Sequence, residues 1–96
     1  VLDLQRIMEI KKKIDIPLVM HGGSGVTSDE FKTAIQNGIK KINYYTYMAL
    51  SGADRAKKFL YESRDDDSVQ FHDIVMAGKE GMKENVKIAM NTFLMK

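Results

Sequence analysis

Pro17-Leu-Val-Met-His-Gly-Gly-Ser-Gly25 decides the fold. With Ile16 it is a short apolar run without polar alternation, the pattern of a strand buried on both faces in a parallel sheet. It ends abruptly in glycine. Directly after it, Thr27-Ser-Asp-Glu30 has capping-box spacing, which predicts a helix whose apolar face is Phe31, Ala34 and Ile35. Asn37-Gly38 supplies the left-handed stop of that helix. Ile39-Lys-Lys-Ile-Asn-Tyr-Tyr-Thr46 then reads as a second strand, rich in isoleucine and aromatic residues. Upstream, the spacing of Leu2, Leu4, Ile7, Met8 and Ile10 predicts an amphipathic helix over 2–13. Its last turn carries Lys11, Lys12 and Lys13, which suit the negative end of a helix dipole. Asp15 and Pro17 break it.

Downstream, Met48, Ala49, Leu50, Ala53, Ala56, Phe59 and Leu60 predict a third helix, loosened at Gly52. Arg64-Asp-Asp-Asp-Ser68 is a polar loop or cap. A last helical segment over 69–95 offers Val69, Ile74, Val75, Met82, Val86, Ile88, Ala89 and Phe93 as core positions, with Gly78 and Gly81 expected to weaken or divide it. Strands alternating with helices argue for crossover units on a parallel sheet, hence an α/β fold. Two strands do not finish such a sheet, because their outer edges leave backbone groups unpaired. The missing initiating methionine points the same way, to a chain cut from something longer.

Composition narrows the function classes. The chain has 96 residues, enough for one small domain, and 44% of them are hydrophobic, too many for general disorder. A formal charge of +2 spread along the chain is no nucleic-acid footprint. There is no cysteine, which excludes a disulfide framework, a thiolate zinc site and a cysteine nucleophile. No apolar run approaches the ~20 residues of a membrane span. The amino terminus has no basic leader followed by an apolar block, so a cytoplasmic location is expected.

In parallel α/β folds ligands bind at the carboxyl ends of the strands. Two positions meet that rule. In His21-Gly-Gly-Ser-Gly25, glycines permit a tight turn and close approach of an anion, the Ser24 hydroxyl adds a donor, and a helix amino terminus follows. The bland alternative is a simple turn. His21 at the mouth of the sheet reads as a metal ligand, as a general base, or as a histidine satisfied by an ordinary hydrogen bond. A catalytic zinc usually needs three protein ligands. The only other histidine of the chain is His72, in a different setting, so any metal partners of His21 are expected outside these residues. At the second strand end, Asn43 and Thr46 can offer amide and hydroxyl groups to a phosphate or sugar oxygen, or can be plain polar caps.

The combination of Pro17-Leu-Val-Met-His-Gly-Gly-Ser-Gly25 with Gly38-Ile-Lys-Lys-Ile-Asn43 and Thr46 resembles the class II, zinc-dependent fructose-bisphosphate and ketose-bisphosphate aldolases. The match is strong over about residues 16–50. The resemblance implies that residues 1–96 are the C-terminal part of one (β/α)8 TIM-barrel domain, about strands 7–8 and the final helices. It implies zinc as cofactor, with His21 one of three histidines on it and the other two outside this chain. It further implies that Gly22, Gly23 and Ser24 bind the substrate phosphate beside a monovalent cation, and that Asn43 and Thr46 contact the dihydroxyacetone phosphate portion. The implied reaction is reversible cleavage of a ketose 1,6-bisphosphate, of fructose or tagatose type, to dihydroxyacetone phosphate and an aldehyde, zinc polarising the carbonyl. No catalytic residue lies within these 96 residues, so the isolated chain is expected to be inactive although its parent is an enzyme. The implied parent is a homo-oligomer without nucleic-acid or membrane partners. Tyr45 departs from the family's usual Asp or Asn, and a phenol does not mimic a short carboxylate, which leaves the ketose open. The competing reading is a catalytically inactive phosphate-binding or self-associating module.

Overall fold

The computed structural model describes residues 2–96. Its elements run α1 (Leu4–Lys13), β1 (Leu18–Met20), α2 (Ser28–Gln36), β2 (Ile39–Ile42), α3 (Thr46–Glu62) and α4 (Phe71–Phe93). The chain divides into two units, one holding the residues up to Tyr45 together with Ala89–Lys96, the other Thr46–Ile88.

In the first unit β1 and β2 pair in parallel, joined through α2. Helix α1 starts two residues later than its apolar spacing suggests. The Asp3 carboxylate accepts the Arg6 N–H at 3.0 Å, which makes Asp3 the cap and leaves Leu2 outside the helix. Helix α2 begins as expected. Thr27 N–H donates to the Glu30 carboxylate at 2.8 Å, and Glu30 N–H donates to Thr27 Oγ1 at 3.2 Å. The bond from the Thr27 N–H, and after it the Thr27 side chain, hold the Glu30 carboxyl below its ordinary range. The helix stops at Gly38, whose φ of +127° suits a residue without a Cβ. The neighbouring Asn37 amide donates to the Leu4 carbonyl at 2.8 Å and so ties the end of α2 to the start of α1.

Ile7, Met20, Phe31, Ala34 and Ile39 form the core of this unit, with Leu4, Leu18, Ile42, Tyr44 and Phe93 packed against them. Phe31, Tyr44 and Phe93 meet edge to face, with ring centroids 5.1 to 6.5 Å apart. The sheet is not buried on both faces as its apolar run suggests. The core covers the face of Leu18, Met20, Ile39 and Ile42, while Val19 is 45% exposed. Helices α1 and α2 pack on one side only, and both outer strand edges are unpaired among the described residues.

Register explains how β2 serves both faces. Leu18 pairs with Ile39, but Val19 pairs with Lys41, so β2 carries one extra residue, Lys40. Strict alternation would put Ile39 and Ile42 on opposite faces. The extra residue returns both to the core and turns Lys41 and Asn43 toward the open face, an effect typical of a bulge. Strand β2 is also shorter than the expected 39–46. Asn43 N–H still bonds the Met20 carbonyl at 3.0 Å, but the chain then leaves the sheet and Thr46 opens α3.

In the second unit α3 continues unbroken through Gly52, and α4 through Gly78 and Gly81. The expected division does not occur, because these glycines serve contact between helices. A Cβ at Gly81 would stand 2.5 Å from the Ser51 carbonyl oxygen, and one at Gly52 would stand 2.7 Å from Met82 Cγ. Ser51 and Arg55 lie at Gly81 while Ala56 lies at Gly78, the descending order of an antiparallel pair. An Asp66 carboxylate that accepts Ser68 N–H at 2.9 Å shapes the polar loop between them. The hydroxyl and N–H of Ser68 together hold the Asp66 carboxyl below its ordinary range. Of the expected core positions on α4, Ala89 is buried, but Val75 and Ile88 are exposed by 51% and 63%.

Candidate functional site

The candidate site grows from the carboxyl ends of the two strands. β1 stops at Met20, and the chain turns through His21-Gly22-Gly23-Ser24-Gly25 before α2. Gly22 and Gly25 have φ of +64° and +83°, a conformation that other residues adopt at a cost. A bond from Val26 N–H to the Gly23 carbonyl at 3.2 Å closes the turn. The three glycines do different work. Gly23 is buried, and a Cβ there would stand 2.8 Å from Phe31 Cζ. Its lack of a side chain is already required by the packing of Phe31. Gly22 and Ser24 are exposed, together with His21.

The start of α2 is less open to an anion than its sequence suggests. The capping box commits the Thr27 and Glu30 N–H groups to partners within the helix itself. It also sets an ionised carboxylate at the positive end of the dipole. Anion affinity at this loop therefore has to come from the turn 22–25 and from nearby cations.

The structure brings together two residues that the sequence offers in separate motifs. The Asn43 amide nitrogen lies 2.8 Å from His21 Nδ1. Parallel pairing and the extra residue in β2 make this possible, since Val19, His21, Lys41 and Asn43 fall on the face that the helices leave bare. Sequence reasoning missed a third participant. Lys41 Nζ donates to Asn43 Oδ1 at 3.0 Å. The available signal was the two-residue spacing Lys41-x-Asn43 on one strand, which puts both side chains on one face. Lys41 also brings a positive charge to the Asn43 side chain.

The other candidate residues fall elsewhere. Thr46 is the exposed first residue of α3 and belongs to the second unit. Tyr44 is a core residue, and Tyr45 is 69% exposed. His72 is exposed, with Nε2 3.3 Å from the neighbouring Asp73 carboxylate.

Among the described residues no group of three or more His, Asp or Glu side chains could hold a metal ion. His21 still suits a zinc ion as one ligand of several. It is an exposed imidazole at the carboxyl end of β1, with the Asn43 side chain beside Nδ1, and a neutral imidazole is a common zinc ligand.

Residues 1–96 match the family described as fructose-bisphosphate aldolase class-II. The crystal structure of the YdjI aldolase from Escherichia coli K12 is similar over 97% of this chain, with a TM-score of 0.75 and 26% identity. Fructose-bisphosphate aldolase from Campylobacter jejuni is similar in fold over 97% of this chain, with a TM-score of 0.81 and 19% identity. The chain spans 34% of the length of each of these two solved proteins.

Proposed function

Because the chain belongs to the class-II fructose-bisphosphate aldolase family, we propose that it forms part of a zinc-dependent aldolase that reversibly cleaves a ketose 1,6-bisphosphate to dihydroxyacetone phosphate and an aldehyde. The observation that carries this proposal is the 2.8 Å contact between His21 and Asn43 at the carboxyl ends of two parallel strands, beside a glycine turn. Ligand sites of α/β barrels gather at that end of the sheet, and their phosphate sites at the last two strands. β1 and β2 are then strands seven and eight of a (β/α)8 barrel, and the bare face of Val19, His21, Lys41 and Asn43 is turned to the barrel interior.

In this assignment His21 is one of three histidine ligands, and the other two come from outside these residues. Bound zinc supplies Lewis-acid polarisation of the ketose carbonyl. Gly22 and Ser24 offer a main-chain approach and a hydroxyl to the substrate phosphate, with a monovalent cation beside them. Gly23 keeps the turn seated against Phe31. Asn43 and Thr46 address the dihydroxyacetone phosphate portion. Tyr45 stands where the family usually has Asp or Asn, so fructose and tagatose 1,6-bisphosphate are the substrates to compare. The enzyme is proposed to be cytoplasmic and homo-oligomeric. Among the described residues no helix is long and apolar enough to cross a membrane.

The test is zinc content and aldol cleavage of the intact protein, assayed with both ketose bisphosphates. About one zinc per chain and cleavage of either substrate is the expected result. A protein that holds no zinc and cleaves neither ketose, yet still binds inorganic phosphate, would be a binding module instead.

A further inference from the structure

We infer that Lys41 is a positioning residue for ligand binding: it fixes the side-chain amide of Asn43 so that the N–H2 group, and not the carbonyl, is offered to the ligand. An ammonium group has donors only, so the amide atom that faces it must be the acceptor. Lys41 Nζ donates to Asn43 Oδ1 at 3.0 Å, which commits the carbonyl oxygen to the lysine and turns the nitrogen the other way. Half a revolution of the amide would set N–H2 against ammonium, donor against donor. The orientation follows from the lysine alone, whatever the state of the ring on the far side of the amide.

The backbone prepares this arrangement. Lys41 and Asn43 stand two residues apart on extended chain and so share a face, which the extra residue Lys40 turns away from the core. Asn43 N–H is itself held by the Met20 carbonyl at 3.0 Å, so the base of the side chain is fixed as well as its oxygen. A bond from a charged donor also polarises the amide and strengthens its N–H groups as donors. The ligand that fits is one that brings an acceptor oxygen to the carboxyl end of the sheet. The inference rests on the proposed function in taking that ligand to be dihydroxyacetone phosphate.

Calorimetric titration of the intact protein with dihydroxyacetone phosphate tests it in a double-mutant cycle. Asn43→Ala and Lys41→Met should each weaken binding by roughly 10-fold, the order of loss that follows removal of a supporting outer-shell partner. Because Lys41 acts through the amide, adding Lys41→Met to Asn43→Ala should change the affinity by no more than about 2-fold. A lysine that served the ligand directly through its charge would give losses that multiply, and that result overturns the inference. Lys41→Arg keeps a donor for the amide oxygen and should recover most of the affinity. If Lys41→Met does not fold, Lys41→Thr, suited to a strand and too short to reach Asn43, carries the same cycle. Wild-type affinity in the lysine variant overturns the inference, as does a wild-type protein that binds no dihydroxyacetone phosphate. Cleavage of the two ketose bisphosphates is measured apart. If neither is cleaved but the cycle shows the expected coupling, the aldolase reading fails and the role of Lys41 stands. If one is cleaved but the losses multiply, the aldolase reading stands and the role of Lys41 fails.

Discussion

The two units are held together in opposite ways. In the first, side chains fill the space between backbones: Phe31 at 4% exposure is pressed between Gly23 on one side and Tyr44 and Phe93 on others. In the second, side chains are removed so that backbones can meet, at Gly52, Gly78 and Gly81. The first arrangement fixes a loop in place, because the ring that anchors the core also seats the glycine turn beside His21. The second fixes the spacing of two helices and leaves Leu50, Leu60, Tyr61, Phe71 and Ile88 exposed. All but one of the candidate site residues lie in the first unit, where packing and site share a single side chain. Thr46 is the exception.

Substitutions can pull these roles apart. The largest effect is expected from His21→Ala in the intact protein. Zinc and aldol cleavage should fall by more than the roughly 10–100-fold that loss of an outer-shell partner costs. Stability should stay within about 0.5 kcal/mol, since His21 is exposed. Parallel measurement of zinc content and denaturant midpoint separates the two. A drop in the midpoint would mean that His21 helps hold the first unit together.

Next comes Phe31→Ala, expected to cost about 3–5 kcal/mol in denaturant unfolding. It should also weaken phosphate binding, because the turn at Gly23 loses its seat. Loss of stability with unchanged phosphate affinity would uncouple core from site. Gly81→Ala follows. In an ordinary helix interior this change gains about 1 kcal/mol. Here the new Cβ meets the Ser51 backbone, which has no side chain to swing aside, and a loss of about 1–3 kcal/mol is expected. Gly52→Ala should cost less, because the nearest atom belongs to the Met82 side chain and the nearest backbone atom, the Gly78 carbonyl oxygen, stands farther off at 3.2 Å. Equal thermal shifts for the two would argue against contact through backbone.

The smallest effects belong to the cap of α2. Thr27→Ala should cost about 1 kcal/mol. The folded Glu30 carboxyl titrates below its ordinary value, so its contribution is complete above the ordinary glutamate range and fades as pH falls through the lowered value. Glu30→Gln should therefore lower the melting temperature slightly at neutral pH and converge on wild type at low pH, so that the acid side of its profile is flatter. A melting temperature identical to wild type at neutral pH would remove the Glu30 charge from the cap.

What could be read from the residues themselves follows a physical divide. Order and type of all six elements are set by local chemistry, and they were legible: Thr27 and Glu30 as a reciprocal cap, Gly38 as a stop, Pro17 as a break. The family was legible too, because His21-Gly-Gly-Ser and Asn43-x-x-Thr46 occur at a fixed distance. What escaped depends on contacts between elements. Lys40 looks like any strand residue, and only pairing with β1 shows it to be the extra one. Gly78 and Gly81 look like helix breakers until Ser51 and Ala56 lie against them. Val19 looks doubly buried until the helices are found on one side only. The contribution of Lys41 needed the Asn43 amide to be placed first.

The tie between Asn37 and Leu4 has a bearing on how the protein ages. Asn-Gly is the sequence most prone to spontaneous deamidation, in which the glycine nitrogen attacks the asparagine side-chain carbonyl to form a succinimide. In the folded chain the Asn37 amide is held by the Leu4 carbonyl at 2.8 Å, and Gly38 N–H is engaged with Ile35 at 3.1 Å. Attacking atom and target are thus both tethered. Isoaspartate at position 37, followed by peptide mapping during storage, should accumulate far more slowly in the folded protein than in urea. Each molecule that does convert would set a carboxylate against the Leu4 carbonyl and loosen the joint between α1 and α2. Damage at this one bond would then prepare the way for wear elsewhere.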